Sequence, residues 1–212
     1  KRPDDKDWAR KAIGNQFLRN QKPGEIPELF AYAQLLIAIN KNEARYATTK
    51  TPHSFWAAWR EKEFPAERTD QLINTPLPDA QKEKLFSATY AYTQDYFDQL
   101  ESSGHRLPTG QDNTLAALCT PERLLDLVRG YVVFDAGTKK IARYQQYFAV
   151  KKILRRIQER ETNSKRRQGG VIWHTQGSGK SLTMVRALRF LPAEPLAGPT
   201  GLDAVPVLVL PG

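Results

Sequence analysis

Gly177, Gly179, Lys180 and Ser181 stand together in the run His174-Thr175-Gln176-Gly177-Ser178-Gly179-Lys180-Ser181. These residue types at this spacing suit one task, holding a chain of phosphates. Backbone N–H groups must converge on phosphate oxygens, and a side chain at Gly177 or Gly179 would obstruct them. A lysine at the end of such a loop reaches the β- and γ-phosphates, and the neighbouring hydroxyl ligates Mg²⁺. Thr175, Gln176 and Ser178 fill the rest of the loop. The expected ligands are therefore a nucleotide's phosphates and Mg²⁺, with Ser181 as the metal-side residue.

The flanking residues supply what the loop needs. Val171-Ile172-Trp173 is an apolar run that reads as a buried strand, and residues 182–188 read as a helix. Strand, glycine loop, Lys-Ser and helix in that order is the context that gives the motif meaning, since the helix start directs its positive end at the anion. One position departs from the G-x-x-x-x-G-K-S pattern: His174 occupies the first glycine, as in some helicase-like motors. The bland alternative is a glycine-rich strand-to-helix turn with no ligand.

The 212 residues allow one or two domains, and a 40% hydrophobic fraction supports a core. No apolar run approaches the ~20 residues of a membrane span, and the opening Lys1-Arg2-Pro3-Asp4-Asp5 is not a signal peptide. With one cysteine, Cys119, there is no internal disulfide, and a cytoplasmic location is expected. The net charge of +9 is unevenly placed. Residues 139–167 hold eleven Lys/Arg against Glu159 and Glu161, and the remainder balances at 21 basic against 21 acidic. That stretch reads either as a nucleic-acid backbone contact or as a solvated helix face leading into a basic linker.

Along the chain, residues 8–21 predict a helix capped by Asp7 and ended by Pro23-Gly24. Residues 33–39 and 44–49 predict a strand pair around the Asn40–Glu43 turn. Pro52 opens a predicted helix over 53–62. Residues 63–77, rich in proline and charge, read as a linker, and 79–101 as one long helix. The aromatics of that helix, Phe86, Tyr90, Tyr96 and Phe97, are read as core. Thr120 caps a helix closed by Gly130, 131–134 read as a strand, and 141–161 as a long helix with one basic side. The tail, 191–212, is proline-rich, with a possible strand at 205–210 that Pro206 confines to a sheet edge.

Three blocks of this sequence resemble the restriction (motor and nuclease) subunit of type I restriction–modification enzymes. They are Lys1-Arg2-Pro3 with Gly14–Gln21, Ile26–Phe30, Ala33–Leu36 and Phe55–Arg60; then Glu122–Leu127 through Arg143–Val150; then Trp173–Met184. The resemblance implies an α/β chain in three parts. Residues 1–62 would be the C-terminal part of a PD-(D/E)xK-type nuclease domain, 63–135 a helical linker region, and 136–212 the start of a RecA-like P-loop ATPase lobe with an atypical 191–212 tail.

The same resemblance implies site residues. Lys1 would be the lysine of a Mg²⁺-binding Glu-x-Lys constellation, stabilising the charged phosphorane. Gln16 matches the glutamine of a Gln-x-x-x-Tyr pair, although Asn20 stands where the tyrosine would be. Arg143-x-x-Gln146-x-x-Ala149 resembles the adenine-contacting glutamine motif of superfamily 2 helicases, whose amide can both donate to and accept from the base edge. The implied activity is ATP-dependent translocation of duplex DNA coupled to cleavage of unmodified DNA. The implied partners are double-stranded DNA and the modification (methyltransferase) and specificity subunits, with no membrane.

After Ser181 the sequence departs from that family: a second acidic motif and arginine fingers do not follow. The expectation is therefore a truncated chain, with a reading-frame change near residues 186–195, that neither hydrolyses ATP nor cuts DNA alone. Two other readings stand beside it. One is a non-catalytic DNA-binding remnant using residues 139–167; the other is a small P-loop kinase or transferase.

Overall fold

The fold is given by a computed structural model that describes residues 6–61, 64–87, 90–159, 170–174, 179–190 and 207–211. It is mixed α/β, with three two-stranded sheets among the described residues. The chain opens with α1 (Trp8–Lys11), which continues as a π-wound segment over Ala12–Leu18, so the predicted first helix is present in a looser winding. Strands β1 (Leu36–Ile39) and β2 (Ala44–Ala47) pair antiparallel, Leu36 opposite Ala47 and Ile39 opposite Ala44.

That hairpin is covered on both faces. Leu36, Ala38 and Ala47 pack with Trp8, Ile13, Phe30 and Trp56 in a small core. Tyr46 turns the other way, into a larger core with Trp59, Leu118, Leu127, Tyr131, Tyr147 and Val150. Alternation along a strand produces this division.

It also explains why the predicted 53–62 helix is wrong. Only His53–Phe55 forms a helical turn, and the chain then extends, with Ala57 exchanging backbone hydrogen bonds with Tyr46 at 2.8 and 3.0 Å. Trp56 and Trp59, three residues apart, would share one face of a helix. Extended, they enter opposite cores, and both are buried.

The residues read as a linker contain a helix, α2 (Ala66–Asn74), entered through Pro65. The predicted long helix is broken into α3 (Asp79–Leu85) and α4 (Gln94–Ser102). They are joined by the Lys82–Glu101 ion pair at 2.5 Å and by the Phe86 and Phe97 rings, 5.2 Å between centroids. Tyr90 and Tyr96 are 55% and 65% exposed, so their helical spacing did not mark core. Next come α5 (Gly110–Leu118), which the sequence reading passed over, and α6 (Pro121–Gly130). Thr120 sits at the N-cap of α6 as expected but makes no side-chain capping bond.

The capping box lies one helix earlier, at α5. The Thr109 backbone N–H donates to Asp112 Oδ2 at 2.9 Å, and the Asp112 N–H donates to Thr109 Oγ1 at 3.3 Å. Arg106 adds two guanidinium hydrogen bonds to the same carboxylate, at 2.7 and 3.1 Å. Burial raises the Asp112 pKa, but the hydrogen bonds from Arg106 and Thr109 outweigh it and hold the pKa below the ordinary carboxylate value. A depressed pKa means stability that is present above the unfolded-state pKa and lost as the pH falls through the folded one. Asp112→Ala is therefore expected to cost about 1–2 kcal/mol in urea denaturation at neutral pH. The gap to the parent chain should close on acidification; a gap independent of pH would mean that the carboxylate charge is not what holds the cap.

Beyond α6, β3 (Val132–Asp135) and β4 (Thr138–Ile141) form a tight hairpin, and α7 (Tyr144–Gln158) follows. α7 buries Gln146, Tyr147, Val150, Ile153 and Ile157, one helical stripe against the larger core. Two long-range bonds tie β4 and its end to the first hairpin. Tyr46 Oη donates to Ala142 O at 2.8 Å, and Thr48 Oγ1 donates to Lys139 O at 2.8 Å. Arg123 clamps the same region, paired twice with Glu61 at 2.6 and 3.1 Å and lying 5.1–5.4 Å from the ring centroids of Trp59, Tyr147 and Phe148.

The chain ends with β5 (Gly170–His174), α8 (Lys180–Phe190) and β6 (Val207–Pro211). β6 lies parallel to β5, Gly170 opposite Val207. It begins just past Pro206 and, among the described residues, is one of two strands in its sheet, which is the edge setting a nearby proline requires. Among the described residues no helix is long and apolar enough to cross a membrane.

Candidate functional site

The two helix starts, α7 and α8, meet. α8 begins at Lys180, directly after Gly179, whose φ of +79° lies in the left-handed region. A second constraint acts on the same residue: a Cβ at Gly179 would lie 2.3 Å from Gln146 Nε2. Glycine is required here both by backbone conformation and by the close approach of a neighbour. The Gly179 carbonyl accepts from Gln146 Nε2 at 3.3 Å and from the Thr183 N–H and hydroxyl at 3.1 and 3.2 Å. Lys180 is half-buried and Ser181 exposed, both in the first turn of α8. The orphan N–H groups and dipole of that turn favour an anion.

Gln146 is the third residue of α7 and only 4% exposed. Its Oε1 accepts from the Arg143 backbone N–H at 3.0 Å, closing the first turn of α7, and from Arg186 Nη1 at 2.9 Å. A guanidinium can only donate, so Arg186 fixes which way round the amide lies: oxygen toward Arg186, nitrogen toward Gly179. Arg143, Gln146 and Gly179, singled out separately in the sequence, are thus brought together, with Lys180 and Ser181 adjoining.

Thr175, Gln176, Gly177 and Ser178 lie outside the described residues, as does Lys1. Gln16 is exposed on the π-wound segment beside the smaller core and takes no part in this cluster.

Arg186 escaped the sequence reading. It is fully buried, and its Nε and Nη2 have no hydrogen-bond partner among the described residues. Burial lowers its pKa to about 10, against the opposing pull of Tyr46 and Tyr131. The signal was in the spacing, since 183, 186 and 187 fall on one helical face and all three are buried. Equally unforeseen is a cavity of about 380 Å³ beside Gln146 and Gly179. Its walls include Tyr46, Thr51 and Phe55 from the first part of the chain, Ile141 and Arg143 before α7, and Leu182 of α8.

At the start of α8, a Cβ on Gly179 would displace the Gln146 amide. Among the described residues there is no cluster of three or more His, Cys, Asp or Glu able to hold a metal. A metal bound here would depend on the Ser181 hydroxyl together with oxygens of its own ligand.

Residues 145–200, which contain this cluster apart from Arg143, match the SWI2/SNF2 ATPase family. The chain is 32% identical over 183 residues to the type I restriction enzyme HindI endonuclease subunit of Haemophilus influenzae, covering 83% of this chain and 14% of that protein. A provisionally assigned type I restriction enzyme endonuclease subunit of Methanocaldococcus jannaschii, MjaIXP, is 27% identical over 77% of this chain and 14% of its own length. A second from that organism, MjaVIIIP, also provisionally assigned, is 33% identical over 49% of this chain and 10% of its own. This chain thus spans about one-seventh of the length of the first two relatives. Over most of its residues the chain is thus similar to type I restriction enzyme endonuclease subunits.

Proposed function

We propose that the chain carries the nucleotide-binding start of a restriction subunit whose whole activity is ATP-dependent translocation of double-stranded DNA coupled to endonucleolytic cleavage of unmodified DNA. The observation that carries this reading is the Gln146–Gly179 clasp at the N-terminus of α8, within the ATPase-like stretch. Thr175–Ser181 surround the phosphates of ATP, Lys180 neutralises the β- and γ-phosphates, and Ser181 ligates the accompanying Mg²⁺, which supplies charge neutralisation. Gln146, positioned by Arg143 and Arg186, faces the base. Residues 136–212 are the beginning of a RecA-like lobe, 63–135 a helical connector, and 1–62 the C-terminal part of a nuclease domain in which Lys1 and Gln16 serve DNA cleavage. The partners are the modification and specificity subunits and DNA, in the cytoplasm.

Within this sequence the residues after Ser181 include only two acids, Glu194 and Asp203, set apart from each other and not in an Asp-Glu box. The 212-residue chain is accordingly expected to bind ATP without turning it over. Calorimetric titration with Mg²⁺-ATP beside a phosphate-release assay tests this. Absence of binding removes the nucleotide reading, and turnover that Lys180→Ala abolishes removes the claim of inactivity.

The basic stretch bears on DNA. Lys152 and Arg155 are exposed on the outer face of α7, whereas Lys139 is turned inward, donating to Ala33 O and Gln34 Oε1 at 3.0 and 2.7 Å. If the outer face contacts DNA phosphates, changing Lys152 and Arg155 together to alanine lowers the slope of log K against log salt by about 2, near 0.9 per contact. An unchanged slope assigns those side chains to solvent.

A further inference from the structure

Among the described residues Phe55 belongs to neither core. It is 61% exposed, whereas Trp56 and Trp59, on the same short segment, are buried. It is held in the His53–Phe55 turn behind Pro52, and it lines the 380 Å³ cavity that Gln146, Gly179 and Leu182 also line. That volume lies in the range of small-ligand clefts, which combine apolar walls with a few placed polar groups. The walls here fit: Tyr46, Phe55, Ile141 and Leu182 are apolar or aromatic, and the polar groups include the Gln146 amide, exposed Arg143, Thr51, Thr138, Lys139 and Lys140.

We propose that this cavity receives the nucleobase, stacked on the Phe55 ring, of the nucleotide whose phosphates lie at the N-terminus of α8. The proposal rests on the nucleotide reading above and adds a residue from a distant part of the chain. The geometry supports it in two steps. Gly179 and Leu182 belong both to the cavity wall and to the entry into α8, so a ligand anchored there by its phosphates has its other end beside the cavity. An exposed phenyl ring then offers the π-face a base needs, and a cation at the cavity edge adds to stacking. The first hairpin is already bonded to the chain just ahead of α7 through Tyr46 and Ala142. The base would therefore join the first part of the chain to the ATPase-like part, and nucleotide occupancy would be felt at the His53–Phe55 turn.

The test uses the full 212-residue chain and two probes, Mg²⁺-ATP and Mg²⁺-tripolyphosphate, which has the phosphates without the base. Phe55→Ala should weaken ATP binding about tenfold, the loss of one stacked base, and leave tripolyphosphate binding unchanged. Phe55→Trp should restore ATP binding. As a surface ring, Phe55 should be removable without lowering the thermal midpoint, which the same samples report. If Phe55→Ala binds ATP as the parent does while Lys180→Ala loses both probes, the base placement is overturned and the phosphate reading survives. If Lys180→Ala keeps both probes, both fall together.

Discussion

Lys180→Ala is expected to weaken ATP binding by roughly 10- to 100-fold while the chain stays folded. The magnitude follows from what the residue would lose. A hydrogen bond to a charged group contributes about 1.5–3 kcal/mol, and 1.4 kcal/mol is a factor of ten. The lysine sits at the first position of α8, half-buried, and the buried face of that helix is carried by Thr183, Arg186 and Ala187. The two measurements must be read together. Lost binding with an unchanged melting midpoint supports the phosphate role. Lost binding with a lowered midpoint indicates that the substitution has disturbed α8. Retained binding assigns Gly179-Lys180-Ser181 to a turn without a ligand. Lys180→Arg separates charge from shape. It keeps the cation but replaces a compact ammonium with a planar fork, so a loss close to that of alanine would show that the loop demands the smaller head group.

Local signals in the sequence were good where one residue's chemistry decides the backbone. The strand before the glycine loop, the helix after it, the first hairpin and the end of α6 at Gly130 all carry such signals, and the structure has them. The errors come where tertiary packing decides. The pattern Phe55-Trp56-Ala57-Ala58-Trp59 suits a helix taken alone, but the segment is extended because its two tryptophans serve cores on opposite sides of the hairpin. The aromatics of residues 86–97 have helical spacing without a partner surface, so periodicity predicted burial that only Phe86 and Phe97 partly achieve, against each other. At the site, Gln146 and Gly179 were legible singly because each sits in a short motif. Their contact spans 33 residues, and Phe55 reaches the same cavity from 91 residues before Gln146. No spacing rule reads such distances; only the folded chain brings those side chains together.

Arg186→Met is expected to make the protein more stable, by about 1–4 kcal/mol, and to raise its thermal midpoint by roughly 3–10 °C. Arg186 is fully buried, and among the described residues only the Nη1 of its three guanidinium nitrogens has a hydrogen-bond acceptor, the Gln146 Oε1. Each buried donor left unsatisfied costs about 1–3 kcal/mol. Among the described residues the arginine forms no ion pair with a carboxylate, so its removal strands no opposite charge there, and Gln146 Oε1 keeps the Arg143 N–H. Methionine occupies the same space without the donors.

The pH dependence supplies a second check. Burial lowers the Arg186 pKa from its ordinary value to about 10, so between those limits the unfolded chain binds more protons than the folded one. Stability therefore rises with pH in that window, and the penalty is complete below it. The advantage of Arg186→Met should be full at pH 7 and shrink above pH 10. A methionine variant less stable than the parent at pH 7 would show that the guanidinium is better accommodated than its geometry indicates. If the variant is more stable but binds ATP several-fold less tightly, the arginine's place in the core is explained by function: it holds the Gln146 amide in one orientation beside Gly179, and stability is given up to keep that orientation fixed.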